Sequence, residues 1–158
     1  MKFIKYWLII LVVLLLGGFF LSSKINLTKS HETNGTYDKK ITVSGKNLMV
    51  EIAKTSQARE QGLSDREKMC SNCGMVFIFD QPDIYTFWMR RMYFDLDMLW
   101  LNRDKVVDIT YSAKAPLKEE FETPKELYQS KVPADKVIEV NSGWAKKNGI
   151  KIGDKLQL

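Results

Sequence analysis

Histidine is nearly missing from this chain, with a single residue, His31, in 158. That residue precedes the strand-like segments, so the folded part cannot assemble a Ser-His-Asp or Cys-His arrangement. Cysteine is almost as scarce: Cys70 and Cys73 are the only two, too few for a disulfide-built scaffold. A zinc site would need two more ligands, and neither cysteine nor histidine is available in the domain to supply them. No phosphate loop and no dinucleotide fingerprint is present. Neither a metal nor a cofactor is therefore expected. Charge of one sign is not in large excess either. Setting aside Lys2 and Lys5 leaves 22 basic against 19 acidic residues, without a basic stripe interleaved with aromatics, so nucleic acid is not expected as a partner. No internal repeat occurs at a period of about 20 to 50 residues.

Long apolar runs are also few. There is one, Tyr6 to Ser23 (YWLIILVVLLLGGFFLSS), uncharged over 18 residues and preceded by Lys2 and Lys5. A multi-span membrane protein is thereby excluded. As a helix the run would cover about 27 Å, close to the hydrocarbon thickness of a bilayer, and aromatic residues mark both of its ends. It is longer than the apolar region of a usual cleaved signal, and neither a small-x-small cleavage site nor a cysteine follows it. The expectation is an N-terminal transmembrane signal anchor over 1–23, holding the chain in the lipid bilayer through residues 6–23. The short N-terminal flank stays in the cytoplasm and the folded domain lies outside, as a single-pass protein of the plasma membrane.

Residues 24–40 are polar and aperiodic and read as a flexible linker. About 118 residues follow, 41–158, enough for one core. ITVSGKNLMVEI reads as a hairpin around Ser44-Gly45-Lys46-Asn47. TSQAREQGL reads as a short helix capped at Thr55 or Ser56 and ended by Gly62. MVFIF (75–79) is a strand stopped by Asp80-Gln81-Pro82-Asp83, and IYTFWM (84–89) is another. DMLWL and VVDITY form a hairpin across Asn102-Arg103-Asp104-Lys105. Residues 117–133 are rich in charge, a long surface excursion. KVIEV is a strand, SGWAKKNG a short helix from Ser142, and the tail a turn at Gly153-Asp154 followed by a terminal strand. Many short strands with two short helices predict a mainly β domain, a compact sandwich or barrel, and the long crossover helices of a parallel α/β sheet are missing.

Five strings occur in order: AREQGLSDR (58–66), GMVFIF (74–79), FWMRRMYFDLD (87–97), KVIEVNSG (136–143) and GIKIGD (149–154). With them the segment 41–158 resembles the domain-of-unknown-function 192 family, whose pattern runs GL-x-x-R, GMLF-x-F, FWMKNT-x-x-PLD, VLE-x-x-x-G and G-x-x-x-GD. The resemblance implies a β-rich fold of jelly-roll-like character, often exported or membrane-attached, with no established activity. Two departures stand out: the family's KNT is Arg90-Arg91-Met92, and the proline of its PLD is Asp95.

Arg66, Trp88, Arg90, Asp97 and Glu139 are the ligand-binding candidates, since aromatic and arginine side chains dominate binding sites and the charges could line a cleft. The commoner role for such charges is ion pairing between loops. CSNC precedes an apolar strand, not a helix, so no helix dipole activates a thiolate. Cys70 and Cys73 are either a structural disulfide or two free thiols. The reading favours a non-enzymatic binding or accessory module for an envelope component or partner protein. The alternative is a hydrolase-like enzyme on a wall or lipid-linked substrate, with Asp97 and Glu139 as acid and base. Asp95 and Asp97 would share a strand face, a weak glycosidase signal.

Overall fold

The computed structural model describes residues 36–37 and 39–157. The expected anchor, residues 24–35 and 38 of the expected linker, and Leu158 lie outside the described residues. The last two residues expected as linker, Lys39 and Lys40, instead open the first strand because they pair with the next one. Among the described residues no helix is long and apolar enough to cross a membrane.

The strands are β1 (Lys39–Val43), β2 (Lys46–Ala53), β3 (Cys73–Asp83), β4 (Phe87–Trp88), β5 (Leu96–Asn102), β6 (Lys105–Ala113), β7 (Leu127–Tyr128), β8 (Ala134–Asn141) and β9 (Leu156–Gln157). Two short helices join them, α1 (Ser56–Gln61) and α2 (Trp144–Lys147). Seven strands form one sheet in the order β6-β5-β8-β3-β2-β1-β9, and β4 pairs with β7 as a separate ribbon. The domain is thus mainly β, with one curled, half-barrel sheet in place of two sheets stacked face to face.

The β1–β2 hairpin turns at Ser44 and Gly45, whose φ angles of 51° and 75° suit a two-residue turn matched to strand twist. β1 then binds β9 on its other side. The same tail reaches the β5–β6 hairpin, where Val106 N–H donates to Asp154 O at 2.8 Å and Leu156 N–H to Asp104 O at 2.7 Å. The two outer strands therefore meet at one end, and the sheet curls around its inner face. Leu156 from β9 and Val106 from β6 share that inner core with Val43, Val76, Leu99 and Val140, and Trp144 and Ala145 of α2 pack into it.

The outer face carries a second core. Met75, Phe77, Met98 and Trp100 are covered by Leu63, Met69, Met89 and Met92 from the connecting segments. Because both faces are covered, β5 is buried at every position from Leu96 to Leu101, without alternation and apolar but for Asp97.

Several boundaries differ from the sequence reading. β3 continues through Pro82 to Asp83, because a register shift against β8 between Ile78 and Asp83 accommodates the missing N–H. IYTFWM supplies only Phe87–Trp88 as strand, paired with Leu127 and Tyr128 from the surface excursion. β2 and β3 run parallel, with α1 in the crossover, so the sheet is mixed. α2 begins at Trp144, after Gly143 with φ 84°.

Gly74 fixes how closely β8 approaches β3. A Cβ there would lie 2.5 Å from the carbonyl oxygen of Glu139, a distance no side chain tolerates. The glycine sets the position of the strand that carries Glu139.

Candidate functional site

On the outer face, α1, the Gly62–Ser64 segment, β4 and the chain after it enclose a cleft of about 250 Å³. Its floor is β3 and β8, and its walls include Leu63, Phe77, Phe79, Phe87, Trp88 and Met92. The aromatic wall is interlocked. Phe87 meets Phe77 edge to face at 5.0 Å and Trp100 at 5.3 Å, and Phe79 stacks on Tyr85 at 3.6 Å. Such pairs add directional stabilisation to the burial of the rings. Gly62, at φ 50°, passes over Phe77 where a Cβ would stand 3.3 Å from the ring. Trp88 stands at the mouth, 49% exposed, as expected for one of two neighbouring residues that point to opposite faces.

Glu139 lines this cleft at 5% exposure. Its lateral neighbours on β3 and β5 are Met75 and Met98, so the strands beside it offer no polar side chain. Among the described residues no hydrogen bond reaches its carboxyl. Burial pushes that carboxyl up to about 8, against the opposing pull of Arg66. A carboxyl at that value is mostly neutral at pH 7 and can donate a hydrogen bond.

Arg66, 9% exposed, is held elsewhere. Its Nη1 and Nη2 donate to the two carboxylate oxygens of Glu51, the second at 2.9 Å, and Nη1 also donates to the Tyr37 hydroxyl at 3.4 Å. The hydrogen bonds to Glu51 raise the Arg66 pKa despite burial. Glu51, Met75 and Glu139 form one row across β2, β3 and β8, and at two strand spacings the row places Glu51 about 10 Å from Glu139. Arg66 thus ties the segment after α1 to β2 and acts on Glu139 only through its field.

Arg90 lines the cleft with its side chain 37% exposed, its Nε 3.5 Å from a Glu122 oxygen. That Nε is buried and, among the described residues, has no hydrogen-bond partner. The backbone around it is pinned: Ser64 Oγ donates to Arg90 O at 2.9 Å, Asp65 N–H donates to Arg91 O at 2.9 Å, and Arg91 Nε donates to Asp65 Oδ1 at 2.7 Å. The second of the two substituted arginines is therefore a clamp between two cleft-forming segments.

The structure brings Trp88, Arg90 and Glu139 together and leaves Asp97 out. In the β5–β8 pairing Asp97 lies opposite Val140, while Glu139 lies opposite Met98, so the two carboxylates emerge on opposite faces of the sheet. Asp97 is fully buried; Oδ1 accepts from Ser112 N–H and Oδ2 from Ala145 N–H, both at 3.0 Å. It anchors α2 and the end of β6. The acid–base pair of the hydrolase reading cannot form, because a one-residue offset in a strand reverses the face. Asp95 is engaged too, accepting from Lys114 Nζ at 2.6 Å and Ala115 N–H at 2.9 Å. Burial raises its carboxyl, and these two contacts outweigh burial and leave it lowered.

Cys70 and Cys73 are joined as a disulfide with Cα atoms 5.2 Å apart. It closes the turn that leads into β3, where Asn141 Nδ2 donates to Cys70 O at 2.8 Å, and it does not line the cleft. Two neighbours of the candidate residues are not visible as such in the sequence. Glu51 looks like an ordinary outward residue of an alternating strand. Arg59 looks like a solvated helix charge, yet its Nη1 donates to Ile78 O at 3.0 Å and its guanidinium lies 5.1 Å from the Phe79 ring centre. Only the fold reveals either contact.

Two solved structures resemble the domain. One is a protein of Sinorhizobium meliloti 1021 provisionally described as a transcription regulator, with a TM-score of 0.66 and 30% identity, covering 75% of this chain and 91% of that one. The other is a protein of unknown function from Novosphingobium aromaticivorans DSM 12444, with a TM-score of 0.66 and 31% identity, covering 75% and 84%. No curated protein matches the chain. The family model of DUF192, described as an uncharacterized ACR, matches residues 39–158, and the chain belongs to the DUF192 family.

Proposed function

We propose that this chain is a non-enzymatic binding module, held at the membrane by residues 6–23 with its folded domain outside the cytoplasm, that receives an envelope component in the cleft over Glu139. The observation that carries the reading is Glu139, 5% exposed and without a side-chain hydrogen bond among the described residues, on the floor of an open aromatic cleft. Burying a polar group without a partner is unfavourable for the fold. A concave, largely apolar site with a few convergent polar groups is the usual form of a ligand pocket. The interlocked rings supply a stiff wall, and Trp88 at the mouth is of the type that anchors ligands. The 18-residue apolar run supports placement at the membrane, and a disulfide at Cys70–Cys73 suits an oxidising compartment. Catalysis is disfavoured, because Asp97 faces the other side of the sheet and the other carboxylate lining the cleft, Glu60, is exposed on α1.

Equilibrium dialysis of small-molecule extracts from the cell envelope against the full chain tests the reading. Particular masses should accumulate on the wild type and escape a Trp88→Ala variant. Identical retention by both proteins, or none by either, would refute a cleft ligand. For the membrane placement, protease added to spheroplasts should digest the domain. A domain protected until lysis would overturn the assigned side.

A further inference from the structure

Resting on the cleft being a binding site, we infer that its ligand is a small amphipathic carboxylate, its anionic end at Glu139 and Arg90 and its apolar body against Phe77, Phe87 and Trp88. The free polar groups at the cleft ask for an acceptor. The Arg90 guanidinium lines the cleft on a side chain 37% exposed and makes no hydrogen bond among the described residues, and its contact to the exposed Glu122, at 3.5 Å, is the kind of surface pair that contributes little. Glu139 has no hydrogen bond among the described residues, and with its carboxyl at about 8 it carries a proton to donate at neutral pH. Carbonyls along the wall are already engaged: Ile78 O by Arg59 and Arg90 O by Ser64. An oxyanion is the acceptor that suits both the Arg90 guanidinium and a protonated Glu139, and charge-assisted bonds of this type are the strong ones.

The alternatives fit less well. A cation would need Glu139 ionised in an apolar floor, while Arg59 and Arg90 line the same cleft. A neutral alcohol meets the donors with a weaker acceptor than a carboxylate. A volume of about 250 Å³ corresponds to about eight waters, room for an acid the size of benzoate. The charged groups around Glu139 are Arg66 with Glu51 from the segment after α1 and from β2, Arg90 after β4, and Arg59 and Glu60 on α1. Its neighbours on β3 and β5 are the uncharged Met75 and Met98. Glu139 is therefore the group at the cleft whose protonation governs the ligand. The proton stays on Glu139 and bridges the two carboxyl groups, so no covalent step is involved.

The test is calorimetric titration of the full chain in nonionic detergent with benzoate, benzyl alcohol and benzylamine, from about pH 6 to about pH 9.5. Benzoate should bind at least about tenfold more tightly than the other two near neutrality, and its affinity should fall about tenfold per pH unit above about 8. Glu139→Gln, which keeps a donor but cannot titrate, should bind benzoate without pH dependence. Arg90→Gln should weaken binding about tenfold or more. If benzyl alcohol or benzylamine binds as well as benzoate, or wild-type affinity for benzoate is flat with pH, the carboxylate assignment is wrong while the cleft remains a binding site. If none of the three saturates, the carboxylate assignment fails, and the dialysis comparison decides whether the cleft binds anything else.

Discussion

Replacing Glu139 with glutamine should make this protein more stable at neutral pH, and the gain should itself depend on pH. The wild-type carboxyl titrates near 8 in the folded state against an ordinary value of 4.5. Below about pH 4.5 both states are protonated and the group is neutral in the balance. Between about 4.5 and 8 the unfolded chain releases the proton and the folded chain keeps it, so folding takes up a proton and stability falls as pH rises. At pH 7 the accumulated loss is roughly 3 kcal/mol, from about 1.4 kcal/mol for each pH unit above the unfolded value. It approaches roughly 5 kcal/mol once the folded carboxyl ionises. Glutamine has the same shape and no proton to lose. The variant should therefore gain about 3 kcal/mol at pH 7, on the order of 10 °C in melting temperature for a domain of this size, and close to nothing at pH 4.5. Urea unfolding of both proteins at several pH values between about 4.5 and 9 measures the difference. A difference that stays constant across that range would show that the folded carboxyl is not raised, and the donor role assigned to Glu139 would fall with it.

Arg66→Ala should cost roughly 2–4 kcal/mol, because it strands the half-buried Glu51 carboxylate; a double-mutant cycle with Glu51→Ala should recover much of the loss, and strict additivity would deny the coupling. Asp97→Asn should lower stability by about 2 kcal/mol, since an amide cannot accept from both Ser112 and Ala145. The same variant should leave ligand affinity at the cleft unchanged, and a selective loss of binding would contradict its placement on the inner face. Leu156→Ala should destabilise by about 2–4 kcal/mol, since Leu156 is 5% exposed in the inner core and β9 holds the meeting edges of the sheet. An unchanged denaturation midpoint would mean that the tail is a loose end.

Much of the local structure was legible in the residues. Ser44-Gly45 between alternating runs dictated a tight hairpin, Thr55 and Gly62 bracketed α1, and Leu156 ahead of Gln157 announced a half-buried last strand. The errors arose where pairing overrode local preference. Pro82 reads as a strand stop, yet a bulge admits it, and IYTFWM has the composition of a core strand but gives two residues to a side ribbon.

For the site, the candidate residue types were readable, whereas their grouping was not. Arg66, Asp97 and Glu139 look alike in the sequence as charges within apolar motifs. Strand pairing turned Asp97 inward to serve α2, gave Arg66 to Glu51, and left Glu139 facing the cleft beside Arg90 and Trp88. Sequence by itself determined the mainly β class, the tight hairpin turns, the ends of α1, and the family. These follow from side-chain period, from backbone freedom at single residues and from motif order, all of which are local properties of the chain. Tertiary structure alone decided that the sheet curls, which face each carboxylate takes and which of them is left without a hydrogen bond among the described residues. Those outcomes depend on register between strands far apart in the sequence, where a shift of one residue moves a side chain from one core to the other.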